Sequence, residues 1–120
     1  MSPEGAKVFI VEDYQEILDT LTTFLTRKGH ELVGSANTLE AALAALPQLP
    51  ELETDVLILD ANLTRGVETG ADAQQILAAM AALNSDITVV GFSGSGSIEG
   101  ANFNVSKPNV GELVKLITGL

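Results

Sequence analysis

Five short apolar runs punctuate the chain, and between them apolar residues return at helical spacing. The runs cover residues 8–11, 31–36, 56–59, 87–92 and 103–106, and their length and β-branched content predict strands. After the first run, Ile17, Leu18, Leu21, Phe24 and Leu25 line one face of a helix, which Gly29 stops. Asn37 followed by Glu40 resembles a capping box. It would open a second helix through Leu39, Ala42, Leu43 and Leu46, ended by Pro47 or Pro50. Ala73, Ile76, Leu77, Met80 and Leu83 form a third helical face, with Asn84 as its stop. A last helix opens at Asn109, takes Glu112 as capping partner and turns Val110, Leu113, Val114 and Ile117 inward. The predicted order is β-α-β-α-β-α-β-loop-β-α.

Strands that are apolar at almost every position are buried on both faces, which calls for a parallel sheet between layers of helices. Right-handed crossovers make that sheet doubly wound, and ligands then sit beyond the carboxyl ends of its strands. Four of the runs end on residues suited to such a place. The first ends on Glu12 and Asp13, the third on Asp60, the fourth on Ser93 and the fifth on Lys107.

The chain's 120 residues suit one domain, 1–120, with a single core. Without cysteine there are no disulfides and no thiolate metal sites. The first residues carry no basic stretch followed by an apolar core, and no apolar run nears the roughly 20 residues of a membrane span. A soluble, cytoplasmic protein with no membrane partner is expected. Sixteen acidic against six basic side chains give a net charge of −10, which repels nucleic-acid phosphates and argues against direct DNA or RNA binding.

Glu12, Asp13 and Asp60, brought to one edge, would repel one another and raise their own pKa values unless a cation lay between them. A hard divalent ion such as magnesium meets that need through carboxylates, water and a backbone carbonyl in the following loop, such as that of Asn62. Asp60 could then attack a phosphoryl group to give an aspartyl phosphate, with Lys107 as a charge and Ser93 as a hydroxyl donor on the other phosphate oxygens. Taken singly, a strand-end Asp or Ser is more often a helix cap, and a lone Lys a solvated surface charge. The order of the whole set is what carries the reading.

That set resembles the receiver domain of two-component response regulators: the acidic pair Glu12-Asp13 after strand one, Asp60 after strand three, Ser93 after strand four and Lys107-Pro108 after strand five. The resemblance covers nearly the whole chain. It implies a flavodoxin-like, CheY-like five-stranded sheet of order 2-1-3-4-5. It implies Asp60 as phosphoacceptor, magnesium bound by Asp13 and Asp60 with Glu12 acting through water and Asn62 giving its carbonyl, and Ser93 and Lys107 gripping the phosphoryl group. A cis Lys107–Pro108 peptide also follows from it. The partner would be a histidine kinase or histidine phosphotransfer protein, and the chain a stand-alone regulator acting through protein contacts rather than an enzyme.

The chain departs from the family in three places. The loop at 63–70 lacks the usual proline and runs long. The position three before Lys107, where an aromatic switch residue is usual, holds Asn104, and Phe103 beside it becomes the aromatic candidate. Only nine residues, 94–102, join Ser93 to Phe103, fewer than the dozen or more of an ordinary parallel crossover. Nine extended residues span roughly 30 Å at about 3.3 Å each. That is enough to retrace a strand of about 17 Å, as a flexible link with at most one helical turn. A missing or reduced fourth helix would expose apolar side chains of strands four and five, and a homodimer or dedicated partner is expected on that face.

Other readings fit less well. Asp60-Ala61-Asn62-Leu63-Thr64 approaches the nucleophile motif of haloacid-dehalogenase-like phosphatases, but Asn62 replaces the acid carboxylate and the strand order is reversed. Gly91-Phe92-Ser93-Gly94-Ser95 lacks the last glycine of a nucleophile elbow, and the one histidine, His30, reads as a surface residue at a helix–strand turn. The Gly94–Gly100 stretch lacks the Gly-Lys-Ser/Thr ending of a phosphate-binding loop and reads as a plain connector. A receiver-like binding module that is never phosphorylated is the remaining alternative.

Overall fold

The computed structural model describes residues 5–60, 71–83, 86–94, 98–107 and 109–120. Along the chain come β1 (Lys7–Val11), α1 (Gln15–Arg27), β2 (Glu31–Ala36), α2 (Leu39–Ala45) with a 3-10 turn at Leu46–Gln48, then β3 (Val56–Leu59), α3 (Ala71–Leu83), β4 (Thr88–Ser93), β5 (Phe103–Ser106) and α4 (Val110–Thr118). The strands form one parallel sheet in the order β2-β1-β3-β4-β5, as the resemblance implies. The order reverses between β1 and β3, whose last residues Val11 and Leu59 lie side by side. Among the described residues no helix is long and apolar enough to cross a membrane.

The period-two alternation of the strands divides the core into two layers. Phe9, Val11, Leu57, Leu59 and Val89 face α2 and α3, while Val8, Ile10, Val56, Ile58, Val90, Phe92 and Val105 face α1 and α4. Both faces of β1, β3 and β4 are therefore apolar, which explains their unbroken runs. The edge strands β2 and β5 are only partly buried and read more weakly.

Local chemistry sets the ends. Gly29 ends α1 with φ at +85°, where a side chain would be strained, and its N–H donates to the Thr26 carbonyl. The cap of α2 is Thr38, not Asn37. Thr38 is extended, and its hydroxyl accepts from the Ala41 N–H at 3.0 Å, one register later than the Asn37–Glu40 pair suggests. Asn109 does precede α4, without a side-chain cap. The Asn84 stop lies outside the described residues.

His30 also differs from its expected surface place, because it is buried. Its Nδ1 accepts from the Ala6 N–H at 2.9 Å, so the proton sits on Nε2, which donates to the Thr118 hydroxyl at 3.0 Å. It ties β1, β2 and α4 together at the edge opposite the strand ends carrying the acidic residues, and burial holds its pKa below the ordinary imidazole value.

The link from β4 to β5 is shorter than a helix, as expected, but it is not a bare tether. Ile98 is 4% exposed and packs into the core layer shared with α2 and α3. Asn104 holds it there, accepting from the Ile98 N–H at 2.7 Å and donating to the Ile98 carbonyl at 3.3 Å. Asn102 does likewise for the strand: its Oδ1 accepts from the Val89 N–H, and its own N–H donates to the Val89 carbonyl. Gln74 of α3 donates to the Glu99 carbonyl at 2.9 Å. Ile98 thus covers part of the apolar face expected to lie bare. A groove of about 440 Å³ remains between α3 and the link, lined by Leu77, Met80, Ile87 and Gly100 among others.

Gly91 makes this covering fit. A Cβ there would lie 2.4 Å from Asn104 Oδ1 and 3.0 Å from Ile98 Cδ1. Gly91→Ala is expected to lower stability by about 2 kcal/mol in urea unfolding. Gly111→Ala, where an added Cβ meets nothing within 4 Å, should instead raise it by roughly 0.5 kcal/mol. Equal effects at the two glycines would show that the Asn104–Ile98 contact does not constrain Gly91.

Candidate functional site

Glu12, Asp60 and Lys107 each stand one step beyond a strand, Asp13 follows Glu12, and Ser93 closes β4; the backbone pairing continues far enough to fix them. The Glu12 N–H donates to the Ala36 carbonyl of β2 at 3.0 Å, and the Asp60 N–H to the Val11 carbonyl of β1 at 2.9 Å. On the other side of the sheet the Lys107 N–H donates to the Ser93 carbonyl at 3.1 Å. Residues distant in sequence are thereby brought to one edge, where β1 and β3 adjoin at the reversal of strand order.

Glu12, Asp13 and Asp60 converge there, each offering an oxygen within 4.8 Å of the others. Glu12 and Asp60 are buried, and Asp13 is partly exposed. Lys107 reaches across from the end of β5. Its Nζ lies 2.9 Å and 3.0 Å from the two carboxylate oxygens of Glu12 and 3.2 Å from Asp60 Oδ1. The ammonium also stands 5.9 Å from the centre of the Phe92 ring, at the outer limit of a cation–π contact. Glu12 Oε1 further accepts from the Tyr14 N–H at 3.2 Å as the chain turns into α1.

Burial dominates the electrostatics. Loss of water pushes the Glu12 carboxyl up to about 7, helped by the charge of Asp60 and opposed by Lys107 and the Tyr14 N–H. Asp60 is likewise pushed up by burial, to about 6, with Lys107 pulling it down and Asp13 adding to the rise. Burial works against the charge of Lys107, but its hydrogen bond to Glu12 and the attraction of Asp60 outweigh this and raise its pKa. One lysine thus serves two buried carboxylates.

The donor set suits a hard divalent cation: three carboxylates on one edge, two of them pushed by burial toward their neutral forms. Asp60, mostly ionised at neutral pH, has the charge a nucleophilic carboxylate needs. Ser93 is buried at the end of β4, paired in register with Ser106. Asn62, the loop at 63–70 and Pro108, and so the expected cis peptide, lie outside the described residues. Phe103, the aromatic candidate, is 41% exposed on the edge strand, on the strand face shared with Val105, so it turns away from Ile98. Asn104 occupies the opposite face and holds the link instead.

Two features escaped the sequence reading. The pairing of Lys107 with Glu12 spans 95 residues and has no local signal. The Asn102 and Asn104 contacts look, in sequence, like ordinary solvated positions of an edge strand. The unusually short link was the one available hint, since something must cover the sheet when a helix cannot.

The sequence model of the family described as response regulator receiver domain matches residues 8–118. No curated protein matches the chain by sequence. Among solved structures, a CheY-like response regulator receiver domain protein from Methanospirillum hungatei is 23% identical, with a TM-score of 0.73 over 95% of this chain and 91% of that one. The signal receiver domain of a modulated diguanylate cyclase from Desulfovibrio desulfuricans is 21% identical, with a TM-score of 0.69 over 94% and 92%. The response regulator PhyR from Brucella abortus is 24% identical, with a TM-score of 0.70, over 95% of this chain but 46% of that longer protein. At these identities the likeness is one of fold.

Proposed function

Because the chain belongs to the response regulator receiver family, matched over residues 8–118, we propose that it takes a phosphoryl group onto Asp60 and signals through protein contacts. The observation that carries this reading is the buried Asp60 carboxylate, flanked by Glu12 and Asp13 and contacted at 3.2 Å by Lys107. The donor is a phosphohistidine of a histidine kinase or a histidine phosphotransfer protein. An Asp60 oxygen bonds to phosphorus as the phosphorus–nitrogen bond breaks, and the electron pair stays on the imidazole.

Magnesium, held by Asp13 and Asp60 with Glu12 behind them and the Asn62 carbonyl alongside, would neutralise the phosphoryl oxygens. The residues themselves do the rest. Lys107 shifts from Asp60 toward the new phosphoryl oxygens, and the Ser93 hydroxyl donates to another.

The output route follows from Asn104. In place of an aromatic ring turning in and out, Asn104 holds Ile98 by two hydrogen bonds, and Ser93 stands at the start of the same link. Movement of Ser93 toward the phosphoryl group pulls on that link, so the surface around Ile98 and Gly100 is what a partner reads.

Amide NMR with beryllofluoride and magnesium tests this reading. Shifts are expected at Ser93, Lys107, Ile98 and Asn104 and are lost in Asp60→Asn. A receiver-like module that works unphosphorylated would show no such response in either protein.

A further inference from the structure

Away from the carboxylate edge, the described residues form a groove that combines an apolar floor with basic charge. Phe24, Arg27 and Lys28 in the last turn of α1 and its cap face Gly111, Val114 and Lys115 of α4 across a groove of about 800 Å³. The spacing is helical on both walls, at positions i, i+3 and i+4. Phe24 is 39% exposed, although large apolar residues elsewhere on α1 are buried or half-buried. Gly111 leaves the opposite wall open, since a Cβ there would meet nothing within 4 Å.

The charge is the unusual part. The chain has six basic residues and a net charge of −10, yet three of the six, Arg27, Lys28 and Lys115, line this one groove. No described lining residue is acidic. Arg27 and Lys115 also complement the carbonyl ends of their own helices, a small local effect at the surface. That local role explains neither the exposed Phe24 between them nor the gap at Gly111.

The α1 wall lies away from the carboxylate edge: Phe24 is nine steps past Gln15, roughly 14 Å along the helix axis. The α4 wall begins nearer to it, with Gly111 four residues after Lys107.

We propose that the groove seats an acidic amphipathic helix of a partner protein, its apolar stripe on Phe24 and Val114 and its carboxylates against Arg27, Lys28 and Lys115. A third helix laid along two packed helices is the usual way such a face is closed. The match is local: three cations suit the few carboxylates of one or two helical turns, whereas a polyphosphate carries its charge beyond the groove into the −10 field of the rest of the chain. A symmetric pairing of two copies would set basic groove against basic groove.

The test uses two synthetic helical peptides with leucine at positions i, i+3, i+4 and i+7, one filled out with glutamate and the other with lysine. Each is titrated into the full chain and followed by amide NMR. The glutamate peptide should bind saturably, shift Phe24, Lys28, Gly111 and Val114, and weaken with added salt. Gly111→Leu, which fills the gap without strain, and the double variant Lys28→Glu/Lys115→Glu should each weaken it about tenfold or more. The proposal is overturned by a lysine peptide that binds as well, by a glutamate peptide that leaves the groove amides unmoved, or by unchanged affinity in Gly111→Leu. Sedimentation showing self-association that Gly111→Leu abolishes would also overturn it, since a second copy would then be the occupant.

Discussion

Lys107→Met is expected to lose on the order of 3 kcal/mol of stability at pH 8 and much less at pH 5. Lys107 is the cation that Glu12 and Asp60 share, at 2.9 Å and 3.2 Å. Without it, two buried carboxylates face one another uncompensated. Both already have folded pKa values raised above their unfolded ones, to about 7 and about 6. A carboxyl raised on folding binds more protons folded than unfolded between those two values, so stability falls as pH rises through that window. Removing Lys107 pushes both groups further up and extends the window to higher pH, which is why the deficit grows from pH 5 to pH 8. The raised pKa of Lys107 keeps it charged throughout this range in the unaltered protein. Urea unfolding at both pH values measures the effect, and a deficit independent of pH would mean that the loss is one of packing rather than charge.

Asp60→Asn should do the opposite, stabilising the protein at pH 8 in chelator by on the order of 2 kcal/mol. The ionised Asp60 is held in a place that burial makes unfavourable, which pushes its carboxyl up to about 6 from an ordinary 3.8. The gain should fade as pH falls toward 4, where the carboxyl is neutral in both states. Millimolar magnesium should narrow the gap from the other side, because an ion bound by the native state stabilises the unaltered protein by mass action. An Asp60→Asn protein less stable than its parent at pH 8 would contradict this picture of the site.

The parts of the fold that were legible in the sequence are those whose physics is local. β1, β3 and β4 are buried on both faces, so each reads as an unbroken apolar run, and the polar residue ending each run sits at the same edge because the strands are parallel. Lys107 was legible as a member of the edge, but its hold on Glu12 was not, because nothing at either position anticipates a contact between them. In sequence, Asn104 marks only the lack of a ring where one would normally stand. Its actual work, holding Ile98 over Gly91, depends on a neighbour across the sheet and on a link whose path has no periodicity. His30 misled for a similar reason: a polar residue at a turn looks solvated until Ala6 and Thr118 are seen to satisfy both ring nitrogens. The misplaced α2 cap, Thr38 rather than Asn37, shows a smaller limit, since two adjacent residues with capping side chains compete and backbone geometry decides between them.

Whether Asp60 takes the phosphoryl group is read most directly by intact-mass spectrometry after incubation with acetyl phosphate and magnesium. The unaltered protein should gain the mass of one phosphoryl group, lose it on base treatment as an acyl phosphate does, and show no gain as Asp60→Asn. A gain that persists in Asp60→Asn, or that never appears in the unaltered protein, would contradict the assignment of Asp60 as the acceptor.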